Sequence, residues 1–272
     1  MTKKSKVTLL DLGRIDTDDG FLIRGCNAAL ESNPQPRYNR RRVAVIAAVI
    51  EHPTAGPILF ETGSAQNAKE EWPPGAWDAF PMTVYGEEHH LDNALEAAGY
   101  GIDDINAIVM GHLHLDHAGG LEKFRGRDIP IYAHEREIKE AYYAVATKED
   151  IGAYVPSDLN WELNWQPIHR PEVELFEGIT VRHMPGHSPG LITMQAETQN
   201  SGHFFFTSDL YHVRDLFEQD GLAQGWLNRD SHAWFKSHRW MKELQKRYDG
   251  TMVYGHDESV LEELIAQGGS FD

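Results

Sequence analysis

His112-Leu113-His114-Leu115-Asp116-His117 sits near the middle of the chain and decides how the rest is read. Three imidazoles and one carboxylate fall within six residues, and nitrogen and oxygen donors of this kind are the usual ligands of a hydrolytic metal. The apolar run from Ile105 to Met110 precedes the motif and reads as a buried strand. Ala118-Gly119-Gly120 follows it, and Leu121 to Phe124 has the pattern of a short helix. The motif is therefore expected on a loop at a strand end, where ligands project from a rigid base. His112 and His114 are two apart and can reach one ion from the same side. Asp116 and His117 are adjacent and, past the turn, can point to a second position nearby.

Upstream, residues 7–13 read as a strand closed by Gly13, followed by an acidic turn at 16–20. Residues 21–24 read as a short strand or a pocket rim. Residues 43–51 and 58–63 form a hairpin joined by the turn-rich 52–57. Residues 65–88 are irregular and aromatic, which fits a binding loop or the cover of a core edge equally. Residues 90–98 carry a helical apolar face ended by Gly99. Downstream come a strand at 129–133, a helix at 134–146 and a mixed segment at 147–170, read as a hairpin around Trp161 and Trp165. Strand material at 173–181 leads into a Gly- and Pro-rich turn at 182–190. Strands at 191–196 and 203–207, an irregular stretch at 208–230, a helix at 231–248, a strand at 252–254 and a helix at 259–267 complete the chain. Strands followed by a helix in each half imply an α/β protein, with two sheets packed face to face and helices outside.

The chain has 272 residues, 41% of them hydrophobic, enough for a sizeable core. One domain covering 1–272 is expected. Its 25 basic and 42 acidic side chains leave a net charge of -17, which argues against nucleic acid and anionic membrane surfaces as partners. Cys26 is the single cysteine, so no internal disulfide forms; that fits a reducing cytoplasm. No apolar stretch has the length of a signal-peptide core or a membrane span, and a soluble cytoplasmic protein is expected.

A pair of ions needs more than four ligands, and three further candidates lie at strand ends. His187 stands in Pro185-Gly186-His187-Ser188-Pro189-Gly190, Asp209 follows the apolar run Phe204 to Ser208, and His256 follows Val253-Tyr254-Gly255. A carboxylate at the end of a buried strand can bridge two cations. His183 rivals His187 but lies within its strand. His89, His90 and His134 open helices and suit capping, while His52, His169, His203, His232 and His238 show no partner pattern. Phe204 to Phe206 reads as core.

With His112 to His117, Gly186-His187, Ser208-Asp209 and Gly255-His256 in this order and rough spacing, the chain resembles the metallo-β-lactamase superfamily over about residues 7–265. The resemblance implies a four-layer αβ/βα sandwich with the metals at one edge of two mixed sheets. It implies that His112, His114 and His187 hold a first cation, that Asp116, His117 and His256 hold a second, and that Asp209 bridges. The presence of both Asp116 and Asp209, with no cysteine ligand, is similar to the dinuclear branch. Two divalent ions are implied, zinc foremost, with iron, manganese and cobalt equally compatible with such ligands. Within that branch, length, Gly111 to Gly120 and Tyr85 to Leu91 resemble the N-acyl-homoserine-lactone lactonases, which destroy bacterial quorum signals.

That resemblance implies hydrolysis of an acylated lactone by water activated between two cations. Asp116 would shuttle the proton and Tyr211 or His212 would polarise the substrate. Two departures stand out: Glu61 replaces the usual Asp in Asp-Thr-Gly, and His212 occupies the place of a Tyr three residues after the bridging Asp. An apolar rim for an acyl chain could come from Phe21, Leu22, Ile23, Trp72, Trp77 or Trp226. A dinuclear hydrolase of another lactone, a thioester or an organophosphate is the alternative, and an iron redox module on the same fold a further one. A small-molecule substrate and a homodimer complete the expectations.

Overall fold

The computed structural model describes residues 4–150 and 152–272. Thirteen strands are laid out among these residues. They are β1 (Lys6–Asp18), β2 (Arg40–His52), β3 (Gly56–Phe60), β4 (Met82–Val84), β5 (Ala107–Val109), β6 (Ile131–His134), β7 (Trp165–Ile168), β8 (Glu172–Phe176), β9 (Ile179–His183), β10 (Ile192–Glu197), β11 (His203–Phe206), β12 (Thr251–Val253) and β13 (Ser270–Phe271). The first sheet has the order β13-β1-β2-β3-β5-β6-β7, with β4 also on β1; the second has the order β12-β11-β10-β9-β8. Both are mixed. In the first, β1, β2 and β3 pair antiparallel and β3, β5, β6 and β7 pair parallel. In the second, β8 to β11 pair antiparallel and β11 pairs parallel with β12.

The sequence pattern accounts for this arrangement. Val43 to Ile50 is buried at every position, as a central strand covered on both faces requires. Phe60 of the first sheet meets Phe206 of the second with ring centroids 5.2 Å apart, while Phe205, on the other face of β11, packs toward Tyr248; all three of Phe204, Phe205 and Phe206 are buried core. The long helices Glu135–Thr147 and Ser231–Tyr248 each bury one face and start on a side-chain cap, from His134 and Asp230 respectively. No helix among the described residues is long and apolar enough to cross a membrane.

Several expectations are corrected. The first strand does not close at Gly13: its register on β2 shifts between Asp11 and Arg14, a bulge, and pairing resumes as far as Asp18. Of residues 21–24, read as a short strand or a pocket rim, Phe21 and Leu22 belong to the helical turn Asp19–Leu22 and no strand forms, which leaves the pocket-rim reading. Residues 147–170 hold no hairpin among the described residues. Trp165–Ile168 instead adds parallel to β6, because the helix Glu135–Thr147 serves as the crossover. Trp161 is 88% exposed and pairs only with Tyr142 on that helix. Residues 65–88 contain two short helices, Ala68–Glu71 and Pro74–Ala79, and Trp72 is buried edge-on to Trp77 as part of the core edge.

Candidate metal centre

The strand ends converge at one edge of the two sheets. β5 delivers Gly111 to His114, after which Leu115–Ala118 forms a single helical turn carrying Asp116 and His117. β9 runs into the His187 loop, β11 into Asp209 and β12 into His256. His187 Nε2 lies 2.8 Å from His114 Nδ1 and 3.1 Å from His112 Nε2. His117 Nε2 lies 3.2 Å from His256 Nε2, and Asp116 Oδ2 lies 3.4 Å from that same His256 atom. Asp209 stands between the two groups. Its Oδ2 is 3.3 Å from His187, while its Oδ1 is 3.3 Å from His117 and 3.1 Å from His256. All seven side chains singled out in the sequence are therefore in one cluster; Asp116 is the least buried of them.

The helix Ser231–Tyr248 frames two of these loops at once. Trp234 donates its indole N–H to Leu210 O at 2.8 Å, beside Asp209, and Ser237 donates to Pro185 O at 2.8 Å, beside His187. Glycine is required where the backbone passes closest to the cluster. A Cβ at Gly111 would lie 2.4 Å from Glu61 Oε1 and Ser208 Oγ, and one at Gly255 would lie 2.4 Å from Asp209 Oδ1.

The outer contacts orient the rings. His112 Nδ1–H donates to Ser208 Oγ at 3.0 Å, which donates to Glu61 Oε1 at 2.7 Å. His117 Nδ1 lies 3.2 Å from the same Glu61 oxygen. His187 and His256 donate from Nδ1 to the carbonyls of Leu227 at 2.9 Å and Ala44 at 2.8 Å. Each of these four rings is thereby left with Nε2 aimed at the shared space, the arrangement in which a second partner fixes the tautomer of a ligating histidine. Glu61 and Ser208 both hold positive φ, at 60° and 44°, strained backbone of the kind found at functional sites. Glu61 was noted in the sequence only as a departure. One of its carboxylate oxygens serves both His117 and, through Ser208, His112.

Burial holds His112, His114 and His187 well below the ordinary imidazole range, so their rings are neutral. His117 and His256 are equally buried, but the charges of Asp209 and Asp116, with Glu61 also acting on His117, raise both. Burial also disfavours the charge of Asp209, but the surrounding histidines hold it well below the carboxylate range. Nitrogen facing nitrogen at hydrogen-bond distance, with His114 Nε2 buried and without a hydrogen-bond partner, is hard to satisfy by hydrogen bonds alone. A pair of divalent cations fits this donor set.

His114, Asp116, His187, Asp209 and His256 form the floor of a cleft. Ile15, Leu22, Val43, Phe80, Leu115, Ala153, Trp226 and Leu227 supply its apolar wall, and Asp150 and Arg229 form an ion pair at one side. Of the rim residues expected from sequence, Leu22 and Trp226 line the cleft and Phe21 stacks on Trp226; Trp72 and Trp77 do not line it. His212 faces the floor, with Nε2 3.1 Å from Asp209 Oδ2 and neither ring nitrogen hydrogen-bonded. Tyr211 is corrected: it is fully buried on the opposite side, and its hydroxyl pairs with His238 Nδ1 at 2.8 Å. Neighbouring residues in extended backbone point opposite ways, so only one of the two can face the cleft. His183 is outside the cluster, stacked on His134 at 3.8 Å and bonded to Pro189 O.

Known proteins are similar to this chain in sequence and fold. Over 98% of this chain and 99% of its own length, N-acyl homoserine lactonase AiiB of Agrobacterium fabrum (strain C58) is 26% identical. N-acyl homoserine lactonase AiiA of Bacillus thuringiensis subsp. kurstaki is 30% identical over 74% of this chain and 77% of its own. The structure of an N-acyl homoserine lactone hydrolase with N-hexanoyl-L-homoserine at its catalytic metal centre superposes with a TM-score of 0.80 and 26% identity, covering 96% of this chain and 97% of that one. The family model described as metallo-beta-lactamase superfamily matches residues 41–256. On that match, and on strand-end histidines and carboxylates gathered at the edge of two mixed sheets, the chain belongs to the metallo-β-lactamase superfamily.

Proposed function

We propose that this chain is a dinuclear-metal hydrolase that opens the ring of N-acyl homoserine lactones. The observation that carries the reading is a floor of convergent imidazoles and carboxylates beneath an apolar wall, a combination suited to an ester head and an aliphatic tail. The relatives' names supply the lactone.

In this reading His112, His114 and His187 would hold one cation, Asp116, His117 and His256 would hold the other, and Asp209, standing between the two groups, would serve both. Zinc is the ion proposed, on the strength of nitrogen and oxygen donors without sulfur. When bound, the pair supplies Lewis acidity toward the ester carbonyl and lowers the pKa of water toward neutrality. The chain's own side chains do the rest. His212, at the cleft floor beside Asp209, donates toward the carbonyl oxygen as charge develops there, a contribution of about 3 kcal/mol for a well-placed donor. Asp116 is partly exposed to the cleft and carries the proton from the attacking water to the leaving alkoxide. Leu22, Val43, Phe80 and Trp226 exclude water around the acyl chain.

One domain spanning 1–272 performs this work, a view supported by a single continuous core shared by both sheets. A cytoplasmic location accords with the single, exposed thiol of Cys26. A homodimer belongs to the same reading and is checked by sedimentation. The deciding experiment compares hydrolysis of acyl-homoserine lactones of graded chain length with that of thioesters and phosphotriesters, alongside metal analysis of the same sample. Turnover on lactones that rises with acyl length, at two ions per chain, is the expected result. Full lactonase activity without metal, or preference for a thioester or phosphotriester, would overturn it.

A further inference from the structure

Glu137 lies outside the cluster, in the first turn of the helix Glu135–Thr147, and is fully buried. Its carboxylate accepts four hydrogen bonds. Leu113 N–H, at 3.0 Å, and the Tyr154 hydroxyl, at 3.1 Å, donate to Oε1. The Ser188 hydroxyl, at 2.6 Å, and Gly190 N–H, at 3.1 Å, donate to Oε2. Leu113 separates His112 from His114, and Ser188 follows His187. One carboxylate thus ties together the two loops that carry the three imidazoles of the first cation position. Tyr154, held by the same carboxylate, presents its ring edge-on to His114 at 4.7 Å. The His187 loop is pressed onto the start of this helix: a Cβ at Gly190 would fall 2.1 Å from Glu137 N.

A buried carboxylate is costly unless its lone pairs are filled, and here four donors fill them. Full satisfaction makes it a rigid joint. The two loops come from different sheets, β5 in one and β9 in the other, and beside the Glu137 joint a single backbone hydrogen bond, Ile192 N–H to Gly111 O at 2.8 Å, links the same two segments.

We infer that Glu137 is a positioning residue for the first cation, setting the spacing of His112 and His114 against His187 while touching neither ion nor substrate. The inference rests on the metal assignment proposed above. Glutamine is nearly isosteric but presents an NH₂ group on one side, where it meets two donors. The hydroxyl on that side can turn to accept, but the backbone N–H cannot, so the joint must release either Leu113 N–H or Gly190 N–H.

The test titrates zinc ions into metal-free full-length protein against a chromophoric chelator, resolving two binding steps. The step lost in His114→Ala identifies the first position. Glu137→Gln is expected to weaken that step about 10–100-fold, the usual loss when an outer partner of a metal ligand is removed, and to leave the other step as in the wild type. Ser188→Ala, which removes one donor and spares the carboxylate, is expected to weaken the same step to a smaller extent. Two unaltered steps in Glu137→Gln, or an equal loss in both steps, would overturn the inference. If Glu137→Gln fails to fold, Ser188→Ala decides alone, and an unaltered first step overturns the inference. A wild-type protein that binds fewer than two ions would instead sink the metal centre itself.

Discussion

The two halves of the cluster both draw on the loop after β5 and differ in how they hold charge. His112, His114 and His187 are neutral rings depressed by burial, whereas His117 and His256 are raised by the carboxylates around them. The first position therefore depends on geometry: lone pairs aimed by Ser208, by Leu227 O and by loops joined at Glu137. The second depends more on Coulomb attraction, with Asp116, Asp209 and Glu61 within 4 Å of its histidine nitrogens. Displacing a loop should damage the first position, and removing a negative charge should damage the second.

The largest expected effect comes from the residue both halves share. Asp209→Ala should leave less than one firmly bound ion per chain and reduce lactone hydrolysis to the background rate, as read by metal analysis and turnover together. Retention of two ions would show that the halves are independent. Glu61→Gln keeps shape but removes charge. It should weaken the second position about 10–100-fold in a zinc titration, with a smaller loss at the first, since Ser208 still has an oxygen to meet. Equal weakening at both would erase the proposed contrast.

The neighbours 211 and 212 sharpen the comparison at the cleft. His212→Ala is expected to lower kcat by about 10²–10³-fold with metal content unchanged. Tyr211→Phe should leave kcat within error and cost about 1 kcal/mol in denaturant unfolding, the net worth of one buried hydrogen bond. The reverse pattern would place the tyrosine, not the histidine, at the substrate.

The smallest effect concerns a histidine outside the cluster. Burial and the adjacent His183 push His134 down to about 4 from an ordinary 6.5. Between those values the unfolded chain binds a proton that the folded one does not, so stability falls as pH drops from about 6.5 toward about 4. His134→Asn retains an acceptor for the helix cap and should flatten the fall in Tm between pH 7 and pH 5 by a small amount. An unchanged slope would show that the fall originates elsewhere.

The sequence was most legible where chemistry and chain adjacency coincide. Four candidate ligands within six residues can meet only if the loop turns, and the turn is short. His187, Asp209 and His256 were legible for a second reason: each directly follows an apolar strand, and strands that end at one sheet edge deliver their next residues to one place. The aromatic run 204–206 read correctly as core because a strand that apolar cannot face water. The hairpin expected at 147–170 failed because alternating tryptophans say nothing about which neighbour a strand pairs with.

By itself, the sequence determined the donor set, the strand ends that carry it and hence the superfamily, because these depend on residue type and on order along the chain. Only the tertiary structure decided that Glu61 reaches both His117 and, through Ser208, His112, that Glu137 joins two loops from different sheets, and that His212 rather than Tyr211 faces the cleft. Those decisions turn on the direction of a side chain and on contacts between residues dozens of positions apart. Packing fixes both, and no local pattern encodes them.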